Sequence, residues 1–459
     1  MITGPSRGQM DKFRSLFPGD RNPSFVHAPG RVNVIGEHTD YNGLAVLPFA
    51  VQSGVNIIFA PISEPRIILH TMTKPLLEPL DFSIERTIPP YCEGHWGNYV
   101  KAAIQDGVNF AGESGSCFKD LPGLYGVVES DLPMNAGLSS SSALVVAAAL
   151  AFFHVRGFRL DPIDMASRCA SAERYVGTQG GAMDQTASLC GKKDHCLKID
   201  FYPLEVEEIP ANNPCEFLVA HSLVEAQKSG EAKLKYNLRV FECRMLTEIV
   251  NVFLKREEII PEEIRYLGDI TKNPALMKNP HELMDCILDV FEKEEYTLHD
   301  LALIIGKDRL DREIAGIFPD RKILNDLVLP LKKRAGYLLK EWRRVEEAAD
   351  MLGKGDDEGL GSILFEAHEG LRSEFEVSHP RVDHLVELAR EFGLPGARMT
   401  GAGFGGTTLH LVPPESVDEY RSFLHKQYYD AFTFSNNPIH VFRPSDGAYI
   451  NPWRKGFRC

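Results

Sequence analysis

An uninterrupted apolar run from Ala143 to Phe153, eleven residues long and preceded by Ser139-Ser140-Ser141-Ser142, limits this chain more than any other feature. A helix that is apolar on every side has no face to offer water, so other layers must enclose it. Enclosure needs a large fold, and 459 residues supply one, enough for two or three domains at roughly 150 residues each. The run is too short to cross a bilayer, which takes about 20 residues. We therefore read a buried core helix from Leu138. The serines mark its start, because hydroxyl side chains cap the free amides of a first turn.

Short β-branched or aromatic runs at Ser24 to Ala28, Val46 to Pro48, Val55 to Ala60 and Tyr125 to Glu129 read as strands. A second helix is expected from Asp164 to Val176, and a strand from Phe217 to His221. Beyond Glu231, Leu234, Leu238, Phe241, Met245 and Ile249 recur at helical spacing, as do Leu338, Trp342, Val345, Ala349 and Leu352. The charge-rich stretch between them, about 259 to 333, reads as a helical insertion. A helix over Arg381 to Phe392 and a strand over Thr407 to Val412 close an α+β chain, divided here into lobes at 1–210 and 211–459.

Fifty Lys and Arg against 64 Asp and Glu leave a net charge of −14, and no basic stripe offsets it, which argues against a nucleic-acid partner. Nine cysteines include no C-x-x-C pair, so neither a zinc knuckle nor a disulfide framework is implied. The first seventeen residues lack the order of a secretion signal. The expectation is a cytoplasmic protein with reduced thiols and no membrane partner.

Three segments carry candidate chemistry. In Pro29 to Gly43, Glu37, His38 and Asp40 lie within four residues of one another. Carboxylates there can accept from the hydroxyls of a polyhydroxylated ligand, at about 1.5–3 kcal/mol per charged hydrogen bond; a solvated turn is the plain alternative. Arg31 sits among apolar residues, where an unpaired guanidinium is costly, so it calls for an anionic partner. In Leu132 to Ala143, a turn and serines precede the buried helix, whose amides and dipole favour phosphate; redundant capping is the alternative. In Gly180 to Gln185, two glycines lead into a helix start with Asp184, a cap or something more. Glu173 lies on a helix with apolar neighbours and faces either solvent or a cation, magnesium being one candidate. No G-x-x-x-x-G-K-S/T occurs, so a P-loop is absent. Gly401-Ala402-Gly403-Phe404-Gly405-Gly406 spells G-x-G-x-x-G but leads into a strand instead of a helix, which rules out the dinucleotide reading.

Together these segments resemble the GHMP kinases. The Arg31 to Asn42 run is similar to that family's sugar-side motif, Gly137 to Ala143 to its phosphate loop, and Met399 to Gly406 to its third, glycine-rich motif, in family order. Trp96 to Tyr99, Gly181 to Gln185 and Tyr236 to Arg239 extend the likeness. The resemblance implies a two-lobed fold, with an N-terminal lobe like the second domain of ribosomal protein S5 and a C-terminal ferredoxin-like lobe. It implies transfer of a phosphoryl group from ATP to the anomeric hydroxyl of a galactose-type sugar. Asp184 and Arg31 take the catalytic positions; Arg31, Glu37, His38, Asp40, Gly181, Asp184 and Tyr236 take the sugar side. Gly137, Ser139, Ser140 and Ser141 take the nucleotide, with Ser141 and Glu173 toward Mg2+. Asn135 and Thr407 depart from the common pattern at loop edges. The length resembles the branch that includes N-acetylgalactosamine kinases, whereas Tyr236 favours galactose. A non-catalytic galactose and ATP sensor is the alternative of another class. A monomer or weak homodimer is expected.

Overall fold

The computed structural model describes residues 4–19, 23–72, 77–117, 121–133, 137–177, 180–224, 231–259, 263–273, 280–318, 327–434 and 437–452. The strands are β1 (Ser24–Asn33), β2 (Pro48–Ile62), β3 (Arg66–Thr71), β4 (Leu80–Ser83), β5 (Gly123–Ser130), β6 (His195–Asp200), β7 (Glu205–Pro210), β8 (Glu216–His221), β9 (Tyr296–Thr297), β10 (Val328–Leu329), β11 (Gly396–Thr400), β12 (Thr407–Val412), β13 (Ile439–Phe442) and β14 (Tyr449–Pro452). The helices are α1 (Arg7–Leu16), α2 (Gly97–Glu113), α3 (Ser140–Arg156), α4 (Pro162–Ala172), α5 (Met183–Cys190), α6 (Glu231–Arg256), α7 (Pro280–Asp289), α8 (Leu298–Ile305), α9 (Lys307–Ile317), α10 (Leu331–Lys354), α11 (Asp357–Glu369), α12 (Pro380–Phe392) and α13 (Val417–Gln427).

Two sheets organise the chain. The first has the order β14-β1-β2-β5-β3-β4 and the second, fully antiparallel, β11-β12-β8-β13. As the apolar run requires, α3 is enclosed: it packs on β1 and β2 and against α2, α4 and α5. Val145, Ala147 and Phe152 on it are fully buried. The strand β14 pairs antiparallel with β1, Ser24 opposite Pro452, so a division at residue 210 leaves one strand of the first sheet in the second half of the chain. Val46 forms an isolated bridge to Ile199, and of the strand expected from Val46 to Pro48 only Pro48 lies in a strand, as the first residue of β2. The expected helix from Asp164 to Val176 is α4 followed by a 3-10 turn over Glu173–Val176.

The stretch from 259 to 333 forms no separate body. Leu267, Ile270, Leu301, Leu310 and Ile314 share one buried cluster with Leu246 of α6 and Leu338 of α10. Among the described residues no helix is long and apolar enough to cross a membrane.

What joins the two sheets near the ends of β1 and β11 is a buried ion cluster. Arg398 of β11 donates to the Val34 carbonyl at 2.9 Å, pairs with the Glu37 carboxylate and lies 3.6 Å from Glu341 Oε1 of α10. The amides of Gly36 and Gly401 donate to Glu341 and Glu37 at 3.1 Å each. All three charged side chains are at most 1% exposed. Burial pushes the Glu37 carboxyl up, and the Arg398 charge opposes that. Arg398→Met strands the Glu37 carboxylate in a dry interface and leaves Glu341 paired with Arg344, and breaking such a pair costs about 3–5 kcal/mol. Chemical denaturation is expected to show a loss of that order; a change within error would mean the cluster carries no stability.

Candidate active site

The three sequence segments meet in space, beginning with a backbone contact. Gly30 lets β1 approach the serine loop: a Cβ there would lie 2.5 Å from the Leu138 carbonyl, which accepts from the Arg31 amide at 3.2 Å. Arg31 then reaches into the space between loop and helix. Its Nε donates to Asp184 Oδ1 at 2.8 Å and a terminal nitrogen donates to the Gly137 carbonyl at 2.7 Å. The anion that the sequence demanded for Arg31 is Asp184, in the first turn of α5.

Ser139 behaves differently from a cap. It precedes α3 in the left-handed conformation, φ 56°, and makes no side-chain bond to the helix amides. Its hydroxyl donates instead to Asp184 Oδ2 at 2.6 Å, with Ser142 at 3.4 Å from the same oxygen. The capping expected of this serine is thus corrected: its hydroxyl serves the aspartate, and the first amides of α3 receive no bond from it. Strained backbone of this kind concentrates at functional sites. Ser140 is exposed and Ser141 half-buried at the same helix start. Of the run Leu132 to Ala143, positions 134–136, with Asn135, fall outside the described residues.

The third motif closes over the second. Gly401 and Gly137 sit so close that a Cβ on Gly401 would lie 3.5 Å from the Gly137 carbonyl. The Ala402 carbonyl accepts from His38 Nε2 at 3.2 Å, while His38 Nδ1 accepts from the Tyr41 hydroxyl at 2.8 Å. Burial lowers His38 to about 3, so the ring is neutral and this tautomer follows from the carbonyl, which can only accept. Both His38 nitrogens are engaged by the protein, as are both Glu37 carboxylate oxygens, by Arg398 and the Gly401 amide. Tyr236 rests 5.5 Å from the His38 ring and 6.1 Å from that of Tyr41. Burial, then the charges of Asp40 and Asp184, push its phenol well up.

Asp40 is 8% exposed. Burial first and the Asp184 charge second raise it to about 6, against hydrogen bonds from the Tyr41 and Gly181 amides. Gly181 is a glycine by necessity, since a Cβ there would overlap the Asp40 carboxylate. Glu173 is buried and accepts from Gln185 Nε2 at 2.7 Å. Its carboxylate and the Ser141 hydroxyl are hard oxygen donors of the kind Mg2+ takes alongside phosphate. Among the described residues no group of three or more His, Cys, Asp or Glu could hold a metal ion.

Two supporting residues were not singled out from sequence. Arg398 carries the same signal as Arg31, a guanidinium between apolar neighbours in a strand. Ser142 was legible only as part of the run, because its orientation depends on how α3 meets α5.

Comparison with known proteins bears on this geometry. Residues 11–61 match the galactokinase galactose-binding signature, 98–192 the GHMP kinases N terminal domain and 346–430 the GHMP kinases C terminal domain. The chain is 30% identical to a galactokinase of Dictyostelium discoideum over 96% of its length and 91% of that protein's. It is likewise 30% identical to one of Bos taurus, over 93% and 91%. In fold it is similar to Lactococcus lactis galactokinase complexed with galactose, with a TM-score of 0.75 and 24% identity over 96% of this chain and 98% of that one. It is also similar to the mevalonate kinase of Methanococcus jannaschii, with a TM-score of 0.56 and 16% identity over 93% and 100%.

The folded Asp40 holds its proton to higher pH than the unfolded value of 3.8. Its contribution to stability is therefore full below about 4 and lost as pH rises through about 6. A carbon-13 titration of this carboxyl is expected to give a midpoint near 6 that falls in Asp184→Asn, which removes the like charge. An unmoved midpoint would mean the two carboxylates do not interact.

Proposed function

The chain belongs to the galactokinase family of the GHMP kinases, and on that premise we propose how its residues transfer a phosphoryl group from ATP to the anomeric hydroxyl of galactose, giving α-galactose 1-phosphate and ADP. The observation that carries the reading is the Arg31–Asp184–Ser139 contact, which ties the sugar-side strand, the phosphate loop and α5 to one carboxylate.

Phosphoryl transfer needs positioning and charge neutralisation more than covalent chemistry. At the start of α3, Gly137 and Ser139 offer backbone amides, and Ser140 and Ser141 offer hydroxyls and amides, to the ATP phosphates. Ser141 and Glu173 are the residues that would hold Mg2+, which would neutralise phosphate charge. Arg31 turns from its pair with Asp184 toward charge developing on the transferred group. Asp184 accepts the hydrogen bond of the anomeric hydroxyl and takes its proton as the oxygen bonds to phosphorus. Asp40, held by the Gly181 amide, and Tyr236 face the sugar hydroxyls. Glu37 and His38 act by shaping the loop, since their polar atoms are engaged by Arg398, Gly401, Ala402 and Tyr41. We assign the site to the junction of two lobes, 1–210 and 211–459, in a monomer or weak homodimer of the cytoplasm.

A coupled ADP assay over galactose, N-acetylgalactosamine and arabinose tests the substrate. Turnover is expected with galactose foremost, and none with any sugar would overturn the reading. Asp184→Asn is expected to remove most turnover while galactose affinity stays within a few-fold, because its role belongs to the transition state; collapsed affinity with residual rate would misassign it. The KM for galactose is expected to rise as pH falls through about 6, where Asp40 gains a proton and ceases to be a charged acceptor. Asp40→Asn should flatten that profile at a raised KM.

A further inference from the structure

The stretch from 259 to 333 had no assigned purpose in sequence, and the structure presses one part of it directly against the sugar loop. The segment Leu267–Lys272 forms a 3-10 turn whose Gly268 lies so close to Gly43 that a Cβ on it would overlap the Gly43 carbonyl. Gly43 ends the turn Asp40–Asn42 in the left-handed conformation, φ 74°, and its amide donates to the Asp40 carbonyl at 3.1 Å. A Cβ on Gly43 would in turn lie 2.9 Å from the Tyr266 Cβ. Backbone therefore touches backbone one short turn away from the Asp40 carboxylate.

The segment is fixed on both sides. Asn251 of α6 holds it through paired bonds with the Ile264 amide and carbonyl, 2.8 Å each. Asp269 accepts from the Arg265 and Tyr266 amides at 2.8 and 2.9 Å. Lys272 donates to the carbonyls of Phe201 and Tyr202 at the tip of the β6–β7 hairpin. There the Tyr202 and Tyr266 rings stack at 3.8 Å and 6°. The Tyr202 phenol lies within electrostatic range of Asp40, whose charge adds to burial and to Tyr266 in raising it.

We propose that the segment Ile264–Lys272 is the outer wall of the sugar site, and that Gly268 and Tyr266 are positioning residues that fix the Asp40 turn against sugar without touching ATP. The inference rests on the sugar-kinase reading above and extends it to a part of the chain that none of the three motifs covers. A wall of this kind sets the sugar KM and leaves the nucleotide step alone.

The test is steady-state kinetics of the full chain, with thermal melts, for Gly268→Ala, Tyr266→Leu and Gly316→Ala. The last lies in α9 of the same stretch, where a Cβ would meet nothing nearer than Arg244 at 3.9 Å. A misplacement of about 1 Å can cost on the order of a hundredfold, and where the displaced group binds sugar equally in the ground and transition states the loss appears in KM and not in kcat. Galactose KM is accordingly expected to rise about tenfold in the first two variants, with kcat and the KM for ATP held within about twofold and Gly316→Ala like wild type. Should Gly268→Ala fail to fold, Tyr266→Leu decides. Folded variants with galactose KM unchanged would overturn the proposal, as would parallel shifts of kcat and both KM values, which would make the segment a general support. Wild type and Asp40→Asn run alongside: no wild-type turnover on galactose sinks the sugar-kinase reading itself. Normal wild-type turnover, a raised KM in Asp40→Asn and no change in the wall variants sinks only the wall.

Discussion

Arg398 is the group on which the geometry of the site depends. It is fully buried, and a guanidinium can stay in such a place only with carboxylates and carbonyls around it. Those partners come from three parts of the chain: Val34 and Glu37 beyond β1, Glu341 in α10, and, through Glu37, the Gly401 amide. Because each partner would be left charged or unpaired by a shift, the sugar-side loop and the glycine-rich turn are held in one register. The cluster gains little net stability over an apolar packing of equal volume; what it supplies is a fixed relation between two sheets that share no strand pairing.

On that fixed relation the serine loop at the start of α3 is built with few charges. A P-loop places a lysine at the phosphates, whereas here the helix start carries hydroxyls, and the buried guanidinium beside it, Arg31, is tied to Asp184 and the Gly137 carbonyl. The positive φ angles at His38, Ser139 and Phe404 put non-glycine residues into a conformation they seldom adopt, one in each of the three motifs. Each is costly locally, and each redirects a chain segment toward the common centre.

How much of this was legible in the sequence depended on the range of the interaction. Arg31 was readable as needing an anion because its apolar neighbours lie next to it in the chain, and the burial of α3 followed from its own composition. The strand Thr407–Val412 was found to the residue, since its boundaries are a glycine turn and a proline. The fate of the Ser139 hydroxyl was not readable, because local rules favour a cap and the competing acceptor, Asp184, lies forty-five residues away. Arg398 carries the Arg31 signal, but its partners Glu37 and Glu341 lie 361 and 57 residues away in the chain. Helices α1 and α2 carry weak sequence signals: only three residues of α1 are buried, and α2 contains two internal glycines and no side-chain cap. The contact of Gly268 with Gly43 is a matter of missing side chains, which no periodicity reports.

The pairing of β14 with β1 bears on how the polypeptide reaches its native state. Strand β1 carries Arg31 and lies between β2 and β14, and the outer of those partners is Tyr449–Pro452. During synthesis every element from β2 to β13 must leave the ribosome before that partner emerges. Until then the outer rim of β1 presents unpaired amides and carbonyls, the kind of exposed border that recruits foreign strands. Domains made at the ribosome ordinarily settle in order from the amino end; here the first sheet waits for a strand that follows every strand of the second sheet in the chain.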